Sequence, residues 1–242
     1  NDGQAGFHPF KDPLLTKQTQ YDQTTALGWT KEDGSTSLLV GHTNYENREA
    51  GDSFVSSYDF KHSQANPSSL IAGNESSTGP MAMADYDKDG DLDLFVGGRS
   101  VPARYPEPAS SKLYSFEKGN FELDSLNSIQ FNELGLVSGA IFSDIDSDGD
   151  ADLILAIEWG PVMVFRNEGG RFRDITKELG LSEYHGWWQG VTTGDINEDG
   201  KLDIIATNWG WNNKYQHRYD DQHPLQVFYK DFDNNCVLDI IE

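Results

Sequence analysis

Short apolar, β-prone runs alternate with polar, aspartate-rich segments along most of the chain, and helix is expected only as one turn around Thr176 to Leu179. Met81 to Ala84, Gly139 to Phe142, Val191 to Thr193 and Gln226 to Tyr229 each lead into a polar loop, and a second apolar run leaves it. Phe54 to Phe60, Lys112 to Glu117 and Val162 to Arg166 read as further strands, the last ahead of a turn at Asn167 to Gly170. Strand, loop, strand, strand, turn, strand is one blade of four antiparallel strands, and repetition of that unit predicts an all-β fold, a β-propeller. Approximate blades fall at 25–72, 73–130, 131–182 and 183–224, with a partial blade at 225–242 and an N-terminal extension at 1–24. Two stretches, Pro102 to Pro108 and Asn208 to His223, read as longer exposed excursions.

The polar loops are copies of one another. They begin at Asp85, Asp144, Asp195 and Asp231, and the first two read Asp-x-Asp-x-Asp-Gly-Asp-x-Asp before an apolar strand. A worn copy lies upstream, where Asp33-Gly34 and Leu38 to Val40 align with the pattern. Trp29, Lys31 and Ser37 stand there at three ligand positions, so that loop is expected to keep its shape and lack a metal.

This residue pattern suits calcium, a hard cation that takes six to eight oxygens at about 2.3–2.6 Å. Side chains at positions 1, 3 and 5 of a tight loop converge on one point, glycine at position 6 permits the sharp turn, and the carbonyl at position 7 faces the ion. An acid at position 9 closes the shell. The first loop supplies Asp85, Asp87, Asp89 and Asp93, with the carbonyl of Asp91. The second supplies Asp144, Asp146, Asp148 and Asp152, with the carbonyl of Asp150. The third supplies Asp195, Asn197, Asp199 and Asp203, with the carbonyl of Lys201. The fourth offers Asp231, Asp233, Asn235 and Asp239 with the carbonyl of Val237, but Cys236 replaces the glycine. Three Ca²⁺ sites are expected and the fourth is left open. An EF-hand opens the same way but needs a bidentate Glu at position 12 and flanking helices. Position 12 is Val96, Leu155 and Ala206 in the first three loops, and the flanks alternate like strands.

Charge sharpens this picture. Forty Asp and Glu against 18 Lys and Arg leave a formal charge of −22, which argues against nucleic acid and anionic membrane as partners. The single cysteine, Cys236, excludes an internal disulfide framework, and no apolar run approaches the length of a membrane span. The chain opens at Asn1 without a signal-like start, as expected of a mature or trimmed segment.

The loops in their strand context resemble the FG-GAP/VCBS repeat family of propellers, above all Gly194-Asp-Ile-Asn-Glu-Asp-Gly-Lys-Leu-Asp-Ile204. Glu158 to Asn167, Phe172 to Thr176, Gly186 to Trp188 and Asn208 to Asn212 are similar to the branch that accompanies ASPIC/UnbV domains. The resemblance spans roughly 25–242 and implies an extracellular or cell-surface module for adhesion, ligand binding or scaffolding. It also implies further blades or domains in a longer parent chain, so the segment is expected to be a partial propeller.

No GxSxG, P-loop or dinucleotide motif is present, and the chain is read as a non-enzyme binding or scaffold module for an extracellular protein or glycan. Trp159, Trp187, Trp188, Trp209 and Trp211 flank the loop-and-strand units and are expected near one end of the propeller. Trp209, Trp211, Trp187 and Trp188 are the candidate ligand-binding residues, against the alternative that they pack between blades. The competing functional reading is a glycan-active enzyme or its docking domain, with Glu158 beside Asp174 or Glu183 as an acid pair, or with His185 as a catalytic group rather than a packing one. A third reading is a structural spacer between other domains.

Overall fold

The computed structural model describes residues 3, 6–16, 19, 21–31, 34–44, 53–60, 67–73, 75–210, 213–216, 218–220 and 222–241. The described residues form antiparallel sheets in chain order. The first holds β1 (Gln23–Thr30), β2 (Thr36–His42), β3 (Ser53–Asp59) and β4 (Ser68–Ala72), each hydrogen-bonded to the next. The second repeats the arrangement with β5 (Ser77–Ala84), β6 (Asp93–Ser100), β7 (Lys112–Glu117) and β8 (Asn120–Leu123). In the third, β9 (Leu136–Ser143), β10 (Asp152–Gly160), β11 (Val162–Asn167) and β12 (Phe172–Asp174) pair in the same order. A fourth unit starts with β13 (Gly186–Gly194) and β14 (Asp203–Asn208), and a short hairpin joins β15 (Phe228–Lys230) to β16 (Asp239–Ile241). The protein is all-β and propeller-like, and no sheet closes on itself among the described residues.

Each blade packs face to face on the next, which explains why its second strand is apolar at consecutive positions instead of alternating. In β10, Leu153, Leu155 and Ile157 enter the core shared with the second blade, beside Phe95, Phe131 and Phe165, while Ile154 points the other way toward Val164 and Ile175. In β6, Phe95 joins that same core and Leu94 and Val96 pack with Trp29, Leu39 and Val55 of the first blade. A strand buried on both faces reads as a continuous hydrophobic run, because successive side chains leave opposite sides of the sheet.

First strands of neighbouring blades come close, and glycine permits it. A Cβ on Gly139 of β9 would lie 2.8 Å from the Gly190 Cα of β13, and one on Gly79 of β5 would lie 3.0 Å from the Val137 carbonyl of β9. The only α-helical turn among the described residues is Ser125–Ser128, where Asp124 caps the Leu126 and Asn127 amides. The turn expected near Thr176 exists as a tight loop, closed by Leu179 N–H to Ile175 O at 3.0 Å.

Candidate metal loops and an aromatic cleft

All four loops fold alike. The amide at position 6 donates to the position-1 carboxylate in each: Gly90 to Asp85 at 3.1 Å, Gly149 to Asp144 at 3.0 Å, Gly200 to Asp195 at 2.9 Å and Cys236 to Asp231 at 3.0 Å. The amide at position 2 donates to the position-9 acid: Tyr86 to Asp93, Ile145 to Asp152, Ile196 to Asp203 and Phe232 to Asp239, at 3.0–3.1 Å. Amides at position 5 reach position 3, so Asp89, Asp148, Asp199 and Asn235 donate to Asp87, Asp146, Asn197 and Asp233. Amides at position 7 reach position 5, with Asp91, Asp150, Lys201 and Val237 as donors. Every loop turns through left-handed backbone twice, at position 4 (Lys88, Ser147, Glu198, Asn234, φ 59–63°) and at position 6. Cys236 follows its glycine counterparts with φ 66°, a conformation that costs a side chain roughly 1 kcal/mol.

Carboxylate oxygens of Asp85, Asp87 and Asp93 lie within 4.8 Å of one another, as do those of Asp144, Asp146 and Asp152, and those of Asp231, Asp233 and Asp239. Two oxygens opposed across a calcium ion stand up to about 5 Å apart, so each trio fits one such ion. The Asp85 Oδ1 atom is buried and has no hydrogen-bond partner, as expected of an oxygen aimed at a cation. Burial pushes the Asp93 carboxyl up to about 7, against the pull of the Phe116 and Tyr86 amides. Burial, then the neighbouring Asp89, raises Asp87, and burial raises Asp152. Acids crowded together in this way favour protons or a metal ion over bare negative charge. The Asp150 side chain is engaged outside its loop, with the Lys88 ammonium and the Gly169 amide, which ties the first loop to the second.

In the worn upstream copy, Gly34 keeps a left-handed φ of 73° and bonds back to Lys31, while Glu32 and Asp33 lie outside the described residues. Lys31 there meets Asp59 at 3.4 Å, a cation where the other loops place Asp or Asn.

A polar clasp between the second and third blades escaped the sequence reading. Asn167, fully buried, donates to the carbonyls of Tyr86 and Ala151, while Tyr86 Oη donates to Asp124 Oδ2 at 2.8 Å. Asn127 donates to Gly170 O at 2.9 Å and accepts from the Phe172 amide at 3.1 Å. Each of these partners is distant in sequence, so only an Asn in an otherwise strand-like segment hinted at it.

Trp159, Trp187 and Trp209 form a row, with ring centroids 4.7 and 4.1 Å apart, and Tyr215 continues it at 6.1 Å. The row lines a cleft of about 780 Å³ with His185, Asn208 and Asp220 among its walls. Trp188 leaves the opposite face of β13 and packs with Ile154 and Val164, the blade-packing alternative for that residue, while Trp211 lies outside the described residues. His185 is exposed at the cleft rather than packed. Glu158 is 3% exposed and engaged by Arg99 and by Tyr105 Oη, and Asp174, two strands away on β12, caps the Thr176 amide. Neither carboxylate is placed as half of an acid pair.

Comparison with known proteins bears on the same segment. Residues 109–206 match a family model described as an FG-GAP-like repeat. This stretch is therefore similar to an FG-GAP-like repeat. It runs from the third strand of the second blade to the second strand of the fourth and contains the loops that start at Asp144 and Asp195. Curated relatives named Cartilage acidic protein 1 are 36% identical over 72 residues in Mus musculus and in Homo sapiens, and 35% identical in Xenopus tropicalis. The aligned part takes in 29% of this chain and 11% of each relative's length. The resemblance to FG-GAP repeats therefore holds. Among the described residues no helix is long and apolar enough to cross a membrane.

Proposed function

We propose that the chain is a non-catalytic, calcium-stabilised propeller module of an extracellular or cell-surface protein, which presents a surface to a protein or glycan ligand. The observation that carries this reading is the fourfold recurrence of one loop conformation, with three acid trios whose oxygens lie within 4.8 Å. Asp85, Asp87, Asp89 and Asp93 would hold one ion with the Asp91 carbonyl, and the loops starting at Asp144 and Asp195 would each hold another. The loop starting at Asp231 shares their hydrogen bonds and would hold a fourth, weakened by strain at Cys236. Calcium there is structural: it neutralises crowded carboxylates and fixes the turn between the paired strands that flank each of these four loops. The similarity to FG-GAP repeats and to Cartilage acidic protein 1 supports an extracellular setting, in which calcium is abundant, and further blades or domains in a longer parent chain.

The test is a thermal melt of chelator-treated protein, repeated in millimolar Ca²⁺ and in Mg²⁺. An ion that binds only the folded state at about 1,000 times Kd adds roughly 4 kcal/mol per site. A large rise in Tm with Ca²⁺ and little with Mg²⁺ is expected. No rise would reduce the loops to polar turns.

A further inference from the structure

The geometry points to the cleft between the third and fourth blades as a binding site for a neutral sugar, with Trp209 as the exposed stacking face. The inference deepens the reading of the chain as a binding module and rests on it. Three successive strand ends, those of β10, β13 and β14, deliver the three indoles, and the Trp209 amide bonds to the Trp187 carbonyl at 2.9 Å so that the outer ring follows the inner one. Trp209 stays 36% exposed, although an indole usually buries most of its surface.

The innermost indole is held in place at a cost. The end of β10 also pairs antiparallel with β13, joining the third and fourth units, and that pairing slips between Glu158 and Gly160, where Trp159 sits with a left-handed φ of 65°. Bulges re-aim a side chain, and strained non-glycine backbone of this kind gathers at functional sites. Trp159 Nε1 then donates to Tyr105 Oη at 2.8 Å, and Tyr105 in turn donates to buried Glu158, which Arg99 neutralises. The proline-rich excursion between β6 and β7, which carries Tyr105, thereby positions the aromatic row.

Charge selects the ligand class. Glu158 is paired with Arg99, and Asp220 accepts from the His223 and Gln222 amides and contacts the His223 ring at 3.0 Å. The cleft thus offers flat aromatic carbon bordered by amide, imidazole and phenol groups and by one exposed carboxylate, that of Asp220. That suits the C–H face and hydroxyl rim of a pyranose, whereas a protein at −22 repels sulfated or carboxylated glycans.

The experiment titrates the calcium-loaded chain with methyl glycosides of glucose, galactose, mannose and N-acetylglucosamine and with their short oligomers, followed by tryptophan fluorescence and calorimetry. Saturable binding of at least one neutral saccharide is expected. Trp209→Ala should weaken it about tenfold or more and Trp209→Phe less, as for a central aromatic anchor. Tyr105→Phe should weaken it several-fold while the calcium-induced rise in Tm is kept. Absence of binding up to about 10 mM, where a Kd corresponds to only about −3 kcal/mol, would overturn the inference if the calcium response is intact. Loss of the calcium response as well would overturn the parent reading. Salt-sensitive preference for sulfated oligosaccharides, or binding of a proline-rich peptide at Trp209 in place of any sugar, would also overturn it.

Discussion

The first two loops and the last two share the same four kinds of local hydrogen bond, from the amides at positions 2, 5, 6 and 7, yet they sit in different surroundings. Asp93 and Asp152 are fully buried, and each offers its second oxygen to a third strand: Asp93 to the Phe116 amide at 2.9 Å, Asp152 to the Asn167 amide at 2.8 Å. Among the described residues no third strand pairs with β14 or β16, and Asp203 and Asp239 are only half-buried. The residue at position 2 behaves in parallel. Tyr86 is 3% exposed and Ile145 packs against Ile154 and Val164, whereas Ile196 and Phe232 are 66% and 56% exposed. Local sequence closes the loop, and the neighbouring strand and blade determine how deeply its acids are buried.

The sharpest way to break the comparison is to remove the position-9 acid in each setting. Asp152→Ala leaves the Ile145 and Asn167 amides without their acceptor in a buried site, each worth about 1–3 kcal/mol, so urea unfolding should show a loss of about 2–5 kcal/mol even in chelator. Asp203→Ala should cost clearly less in the same assay, because its surroundings are wetter. Equal losses would mean that the third strand adds nothing.

Calcium and pH probe the same difference. In ion-free protein the Asp93 carboxyl, raised to about 7, keeps its proton well above the usual carboxylate range near 4. Its contribution to stability is fully present below about pH 4 and is lost as pH rises through about 7, since the folded state binds the proton more tightly than the unfolded one. Calcium must displace that proton. The calcium-induced rise in Tm should therefore be larger at pH 8 than at pH 5.5, and Asp93→Asn should reduce that pH dependence. A calcium response that weakens from pH 5.5 to 8 would contradict the burial of this acid.

Two smaller effects concern the outer loops. Cys236→Gly should stabilise the calcium-loaded chain by roughly 1 kcal/mol by relieving the left-handed strain, seen as a modest rise in Tm. Ile196→Ser should change stability within about 0.5 kcal/mol, as an exposed site does, whereas Ile145→Ser at the equivalent half-buried position, packed against Ile154 and Val164, should be clearly more destabilising. If Ile196→Ser unfolds the protein, the two loop environments are not distinct.

Much of this was legible in the residues themselves. The spacing of Asp and Gly from Asp85 and from Asp144 placed the loops, and the flanking apolar runs placed the strands, because loop closure and strand pairing here are short-range. Trp187 and Trp188 were offered together as ligand residues, although the twofold alternation of a strand already separates adjacent side chains onto opposite faces. The helical turn at Ser125 was missed beside its capping Asp124. Nothing local marked Tyr105 as the partner of Trp159, or Asn167 as the partner of Tyr86, since 54 and 81 residues separate those pairs.

By itself the sequence determined the four repeated loops, the all-β blades and the clusters of acids within those loops, since turn geometry and side-chain oxygens converge within nine residues of chain. Only the tertiary structure decided which acids are buried, which tryptophans form a cleft and which polar groups clasp one blade to the next. Those properties depend on strands brought together from distant parts of the chain, and desolvation, which sets both carboxyl acidity and aromatic exposure, arises only once the blades are stacked.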